Sequence, residues 1–504
     1  MADPFYITTA ISYPNGPPHI GHAYEAIAAD AMARFQRSQG RDVRFQTGTD
    51  EHGLKMAQAA RSEELEPRAF ADRMSRLFRE MCDALNVSYD LFIRTSQPDH
   101  YRASQAIWTA MEERGDLYLD RYEGWYSVRD EAYYEPDELT SADDGSKLSP
   151  QGTPVEWTVE ESWFFRLSKY QQPLLDHYAA NPEFIRPESR RNEVVRFVEG
   201  GLKDLSISRT SFDWGVPVPG SNSHVMYVWL DALTNYITGL GYPDETDLWR
   251  RYWPANVHLI GKDVVRFHAV YWPAFLMSAG IELPRQVYGH GFLLSRGEKM
   301  SKSVGNVVDP MVLAERFGVD ALRYFLLREV PFGQDGSYSA EAIVARANAE
   351  LANSFGNLAQ RTLSMVHKNL GGVLPAAGEA PEDAELLNLV SKTAKQEVPE
   401  AFDRFAFSVG IEAWLRAVFA CNQYVDGQAP WALRKTNPER MAAVLGALVA
   451  AVRELTSAIA PIIPESAEKL LSLIDAGEGG TPISQPTPLF PRLELAEDEE
   501  EEAA

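Results

Sequence analysis

Cysteine is almost absent: Cys82 and Cys421 are the two in 504 residues, and they stand far apart. A disulfide framework is therefore excluded, and so is a four-thiolate zinc site. Neither usual phosphate cradle occurs: there is no Gly-x-x-x-x-Gly-Lys-Ser/Thr, and no Gly-x-Gly-x-x-Gly at a strand end. Basic residues are scarce, with 48 Lys and Arg against 72 Asp and Glu and a net charge of −24. The balance stays negative without the acidic stretch after Glu494, so nucleic acid must be met by local patches against a repelling overall field. The longest apolar run, Met441 to Val452, is too short to span a bilayer and stops at Arg453-Glu454. The start, Met-Ala-Asp-Pro-Phe-Tyr, has neither the basic nor the apolar region of a signal peptide. These absences predict a cytoplasmic chain in a reducing compartment, with no membrane partner. Hydrophobic residues at 45% and charged residues at 24% are ordinary globular values, and the length allows about three domains.

Phe5 to Ile11 is a β-branched and aromatic run that reads as a buried strand, and Pro14-Asn15-Gly16-Pro17-Pro18 is a loop. Ile20, Tyr24, Ile27, Ala28, Ala31 and Phe35 keep helical spacing, with Gly40 as the stop. Val43 to Thr47 is a second strand, and Val257–Gly261 and Gln286–Gly289 read as later ones. Strand–helix–strand with short joins predicts a doubly wound parallel sheet, an α/β fold of the Rossmann-like kind. Between about Asp116 and Ser221 the texture changes: Val155, Trp157 and Val159 alternate with polar residues, a strand signal within an insertion. From about Ala340 the chain turns helical. Ile411, Trp414, Leu415, Val418 and Phe419 form one stripe, and Leu445, Leu448, Val449, Val452, Leu455 and Ile459 another, both read as bundle core.

Three stretches carry the chemistry. His19-Ile20-Gly21-His22 opens a helix after a strand, where free N–H groups and a partial positive charge suit phosphate. Capping or core histidines, or a metal pair, are the other readings. Lys299-Met300-Ser301-Lys302-Ser303 sets two lysines three apart among hydroxyls and glycines, a cationic loop that can close on a triphosphate, or simply a solvated charged loop. Gly48-Thr49-Asp50-Glu51-His52-Gly53 follows the second strand, where open α/β sheets bind ligands; Asp50 suits a substrate ammonium or, equally, a helix cap.

Together the histidine and lysine stretches resemble the two signatures of class I aminoacyl-tRNA synthetases, in the right order and spacing. Ala10–Gly16, Thr49–Gly53, Tyr227–Ala232, Ile260–Asp263 with Phe267-His268, and Ala429-Pro430-Trp431 are similar to the methionyl-tRNA synthetases in particular. The resemblance implies ATP-dependent ligation of L-methionine to tRNA(Met), the initiator included, through a methionyl-adenylate, with ATP carrying Mg2+. It implies that His19 and His22 contact the ATP phosphates and that Lys302, supported by Lys299, holds the leaving pyrophosphate, the two motifs converging on one ATP. Gly21, Lys262, Asp263, Gly289, His290 and Ser301 complete the expected ATP site. The methionine pocket maps to Ala10, Ile11, Tyr13, Asp50, Trp229, Leu233, Tyr236, Val264, Phe267 and His268. Asp50 takes the ammonium and Tyr236 and His268 lie near the sulfur. Leu233 is a departure, because some relatives carry proline there. Asn357, Arg361, Pro430 and Trp431 map to anticodon recognition, with Trp431 as the stacking platform.

On this basis residues 1–115 and 223–295 are the two halves of the catalytic domain. Residues 116–222 are an inserted connective domain, 296–340 carry the signature loop and stem contacts, 341–493 form the helical anticodon-binding domain, and 494–504 are a disordered acidic tail. Many relatives bind zinc through cysteines in the insert; here Ser127 and Asp130 stand in those places, so no structural zinc is expected. Ending at the bundle, the chain is expected to be a monomer. Against cysteinyl and leucyl enzymes stand the missing zinc site and the short insert. A tRNA-binding protein without catalysis would be expected to have lost one signature. A small nucleotidyltransferase leaves the bundle and Trp431 unexplained.

Overall fold

The structure is a computed structural model that describes residues 2–130, 132–142, 144–295, 298–299 and 308–495. The chain divides into two compact units. The first holds residues 1–18, 40–83 and 88–290; the second holds 19–39, 84–87 and 291 onward.

The first unit is organised by a six-stranded parallel sheet of β1 (Pro4–Thr9), β2 (Asp42–Thr49), β3 (Leu91–Arg94), β4 (Ile185–Arg186), β5 (Val257–Gly261) and β6 (Val287–His290), in the spatial order β3-β2-β1-β5-β6-β4. Register pairs Ile7 with Phe45 on one side and with Val257 on the other. Phe5 to Thr9 are buried without alternation, as expected of a central parallel strand covered on both faces. The strand ends at Thr9, two residues before the apolar run does, because Ala10 and the single bridge Ser12–Thr49 turn the chain across the sheet's carboxyl edge. Along the chain β1 is followed by helix α1 (Ile20–Ser38), which belongs to the second unit. Helices α2 (Pro98–Glu113), α3 (Val228–Thr238) and α4 (Trp272–Ala279) contribute to the first unit's main core, around Trp108, Leu230, Trp272 and Phe275.

The strand signal around Trp157 is realised as Glu156–Phe165, paired antiparallel with Leu117–Ser127. Its apolar alternation does not face a core: Trp157 and Val159 are half exposed, on the same face as Leu119. Beyond this ribbon Ser127, Asp130, Ser149 and Thr153 form a hydrogen-bonded knot. Thr153 and Ser149 donate to Asp130 Oδ2 at 2.5 and 2.7 Å, and Ser127 and Thr153 share a bond of 2.6 Å. The Tyr134 hydroxyl reaches the same carboxylate oxygen at 3.0 Å. This cluster of hydroxyls around one carboxylate closes the turn at Ser127 and Asp130.

Among its described residues, the second unit's regular structure is helical apart from a small three-stranded sheet. Helix α1 packs on α5 (Val319–Glu329). Between them Arg323, wholly buried, donates to Asp30 at 2.6 Å and to the carbonyls of Leu85, Pro461 and Ile462. The bundle comprises α6 (Asn357–Asn369), α7 (Phe407–Gln428), α8 (Pro430–Thr436) and α9 (Pro438–Ile459) among others. Helix α9 is long and apolar enough to cross a membrane, yet 61% of its apolar window is buried inside the bundle, and its whole predicted stripe is core. The stripe on α7 is core except Phe419, which is half exposed.

Candidate active site

The carboxyl edge of the parallel sheet gathers the first unit's candidate residues. The Asp50 amide donates to Ser12 O at 2.8 Å, and Ser12 N donates to Gly48 O, so the segments after β1 and β2 are stitched together. Glycine is required at position 48: a Cβ there would lie 2.1 Å from the Ile93 carbonyl oxygen. Asp50 is buried at this turn. The Tyr13 hydroxyl donates to the His52 carbonyl at 2.8 Å, which fixes one aromatic wall. Opposite it, α3 supplies Trp229, Leu233 and Tyr236, and a π-helical turn at Phe267–Tyr271 supplies Phe267 and His268. Such single wide turns recur where a side chain must be re-aimed at a site. Trp229 stacks flat on Phe267, centroids 3.8 Å apart and 4° from parallel. Ala10, Tyr13, Trp229, Leu233, Tyr236, Val264 and Phe267 share one apolar cluster. Ile11 lies half-buried on the segment after β1.

His268 is the polar element of this cluster. Its Nδ1 lies 2.9 Å from Val264 O, a pure acceptor, so Nδ1 carries the proton and Nε2 accepts the Tyr236 hydroxyl at 2.6 Å. Burial lowers its pKa to about 4, so the ring is neutral at physiological pH. Tyr236 stacks at 4.0 Å on His258, a second buried imidazole. Trp272 Nε1 donates to His258 Nε2 and its Nδ1 meets the Thr8 hydroxyl at 2.8 Å, so it too is neutral; burial, with His268 adding, drives its pKa far down. A flat, uncharged and polarizable pocket of this kind suits a thioether. Lys262 and Asp263 follow β5, while Gly289 and His290 end β6, with Gly261 and His290 in register. Those four stand on adjacent strand ends, where α/β sheets bind nucleotides.

In the second unit His19 caps α1. Its Nδ1 accepts from Gly21 N at 3.1 Å, and His22 Nδ1 accepts from His19 N at 3.1 Å, the rings stacking at 3.8 Å. The capping reading is thus real, and it also settles the tautomer: with both Nδ1 atoms accepting, the proton of each neutral ring sits on Nε2, a donor suited to phosphate. Gly21 is needed because a Cβ would meet the His19 ring at 2.9 Å. Lys299 lies on the short strand Glu298–Lys299, paired with Leu294; Ser301 and Lys302 fall outside the described residues. In the bundle the Arg361 guanidinium lies 5.6 Å over the Trp431 ring, and Trp431 is 48% exposed, which excludes its being a core residue. Asn357 is exposed one turn before Arg361 on α6, and Pro430 is the buried first residue of α8. Asp426 lies 3.6 Å from Arg361.

The sequence reading assigned no role to Glu51, His52, Arg94, His100, Asp231 or His258, although several lie inside stretches it quoted. Their signal is burial: apart from Arg94, which is partly exposed, these titratable groups have almost no exposure and must be paired, and only the tertiary structure shows the partners.

Comparison with known proteins agrees with this geometry. Residues 5–363 match the family of class I tRNA synthetases (M), and residues 374–488 match the anticodon binding domain of methionyl tRNA ligase. The methionine–tRNA ligase of Brucella suis biovar 1 (strain 1330) is 58% identical, over 98% of this chain and 99% of the relative. That of Mycobacterium tuberculosis (strain ATCC 25618 / H37Rv) is 56% identical over 97% and 98%. The solved structure of Mycobacterium tuberculosis methionyl-tRNA synthetase in complex with methionyl-adenylate superposes with a TM-score of 0.94 at 56% identity, covering 97% of this chain and 100% of that one. A parallel sheet whose carboxyl edge holds an aromatic and neutral-histidine cluster, a histidine-capped helix, and full-length likeness to these enzymes lead to one assignment: the chain belongs to the methionyl-tRNA synthetase family of class I aminoacyl-tRNA synthetases.

Proposed function

We propose that the residues described above carry out the family's reaction in defined roles. The chain is a methionine–tRNA ligase: methionine and ATP give methionyl-adenylate and pyrophosphate, and the methionyl group then passes to tRNA with release of AMP. The amino acid brings its own nucleophile, a carboxylate that attacks the α-phosphorus, so the protein's contribution is positioning and charge stabilisation. Asp50 receives the α-ammonium. Trp229 and Phe267 cover the thioether, and the Tyr236–His268 pair sets the polar contact near sulfur. His19 and His22 donate through Nε2 to the ATP phosphates, with Gly21 leaving their rings room. Lys262, Asp263, Gly289 and His290 serve the nucleoside. Lys302, with Lys299 and Ser301, holds the leaving pyrophosphate, and the triphosphate carries Mg2+ as its counter-ion. Asn357, Arg361, Pro430 and Trp431 read the anticodon, the initiator tRNA included. The chain works as a cytoplasmic monomer, divided functionally at residues 115, 222, 295, 340 and 493.

The observation that carries the methionine assignment is the neutral, fully buried His268 bonded to Tyr236 beside the stacked Trp229–Phe267 pair. The test is amino-acid-dependent ATP–pyrophosphate exchange across the twenty amino acids, followed by charging of tRNA(Met). Methionine alone is expected to drive rapid exchange. Faster exchange with any other amino acid overturns the assignment.

A further inference from the structure

Asp231 sits on α3, two residues from Trp229, and is wholly buried. Its Oδ2 accepts from His52 Nδ1 at 2.6 Å and its Oδ1 from His100 Nε2 at 2.6 Å. Burial alone would raise this carboxyl's pKa; the charge and hydrogen bonds of the two imidazoles outweigh it and hold Asp231 ionised, below the usual carboxylate range. His52 reaches on through Nε2 to the Tyr101 hydroxyl at 2.9 Å, and its ring packs edge-on against Trp214. His100 Nδ1 meets Thr238 at the far end of the same helix. One carboxylate thereby joins α3, α2 and the turn after β2.

The turn itself is held on both sides of Asp50. Glu51 receives Arg94 at 2.7 and 3.0 Å, together with the hydroxyls of Thr49 and Ser96. The Glu51 carbonyl accepts Trp214 Nε1 at 2.5 Å, and the His52 carbonyl holds Tyr13. The two walls of the pocket are therefore the turn, with Asp50 and Tyr13, and α3, with Trp229, Leu233 and Tyr236. Of the two links from Asp231, only that to His52 crosses directly between them. Nothing in the adenylation chemistry itself calls for an ionised carboxylate at this depth, and burying one is costly unless it is fully paired.

We propose that His52 and Asp231 are positioning residues of the methionine pocket: their buried hydrogen bond sets the spacing between the ammonium-binding turn and the aromatic wall on α3. This rests on the pocket assignment given under the proposed function. Breaking the bond lets the walls drift, so methionine binds more weakly while nucleotide binding is unaffected.

The test uses the full-length enzyme in methionine-dependent ATP–pyrophosphate exchange, with KM and kcat determined separately for methionine and for ATP. His52→Leu removes the donor. His52→Asn keeps an N–H near the Nδ1 position while losing the Tyr101 contact and the ring's packing on Trp214. His52→Leu is expected to raise KM for methionine about tenfold, which equals about 1.4 kcal/mol, with KM for ATP within twofold of the parent. His52→Asn is expected to recover most of the loss. Asp231→Asn is the independent second variant and is expected to follow His52→Leu. A merely structural role predicts lower thermal stability and a smaller active fraction at unchanged KM, with Asn no better than Leu. Unchanged methionine KM in folded His52→Leu, or an equal rise in ATP KM, overturns the proposal. Absence of methionine-dependent exchange in the parent enzyme would instead defeat the pocket assignment, so the two failures are distinguishable.

Discussion

Tyr236→Phe removes a single hydroxyl from the proposed methionine pocket. The ring remains, so its stack on His258 at 4.0 Å and its place in the core are kept. What is lost is the donor to His268 Nε2 across 2.6 Å, in a site where both residues are almost fully buried. The imidazole cannot compensate by changing tautomer without giving up Nδ1–H to the Val264 carbonyl. A buried acceptor stripped of its donor costs about 1–3 kcal/mol. If that cost falls on the methionine-bound state, KM for methionine rises roughly 5- to 140-fold at about 1.4 kcal/mol per decade. His268→Gln acts on the same bond, so the double variant Tyr236→Phe/His268→Gln should be less impaired than the two single effects combined, with a coupling of about 1–2 kcal/mol. The assay is methionine-dependent ATP–pyrophosphate exchange under initial-rate conditions for all four proteins. Strict additivity, or a methionine KM unchanged by Tyr236→Phe, would refute the reasoning.

Four further outcomes are expected. Lys302→Ala lowers kcat for pyrophosphate exchange at least ~100-fold, the scale of losing one transition-state donor; near-normal exchange would remove it from pyrophosphate binding. Trp431→Ala and Arg361→Ala raise KM for tRNA by about tenfold or more, since stacking contributes about 1–3 kcal/mol per base, and leave exchange untouched; measuring both reactions on one preparation decides it. Arg323→Leu takes one partner from Asp30, which keeps Arg34 at 2.8 Å, and removes donors from three buried carbonyls, costing about 1–3 kcal/mol for each group left unmade, which thermal unfolding of the helical unit reports. Acid weakens the first unit through His268: its folded pKa of about 4 lies below the ordinary histidine value of 6.5, so the unfolded chain binds the proton more readily. Stability is therefore complete above about pH 7 and falls as pH drops from 6.5 toward 4, by about 2 kcal/mol at pH 5 from this group alone; a His268→Gln variant should show a shallower loss between pH 7 and 5.

The acid response turns on a distinction that no linear reading makes. His19, His22, His258 and His268 are four histidines with ordinary letters around them. Two cap a helix with their Nδ1 atoms, and two are neutral core groups whose tautomers are set by a carbonyl and by an indole. The sequence left open whether His19 and His22 were caps or phosphate ligands. The geometry shows these to be compatible, because the cap directs the protons to the opposite ring nitrogens.

Local rules were enough to read β1, β2, β5 and β6, α1 with its stop at Gly40, and the stripe on α9, because burial on both faces or on one helical face imposes a period on the chain; the four-residue β3 and the two-residue β4, the latter inside the stretch read as an insertion, are too short to show one. The paired signatures were enough for the family, because several short stretches in fixed order are far more specific than any one. Periodicity misled where an apolar residue was not core: Trp157, Val159 and Phe419 keep the spacing of buried residues and are half exposed. What only the tertiary structure decided was pairing over distance. Asp231 lies 179 positions from His52 and 131 from His100, yet touches both. Arg323 finds Asp30 across 293 positions, and Asp130 gains the hydroxyls of Ser149 and Thr153. A buried charge must be compensated by whichever groups the fold brings within bonding reach, and those groups carry no mark in the sequence until the chain has closed around them.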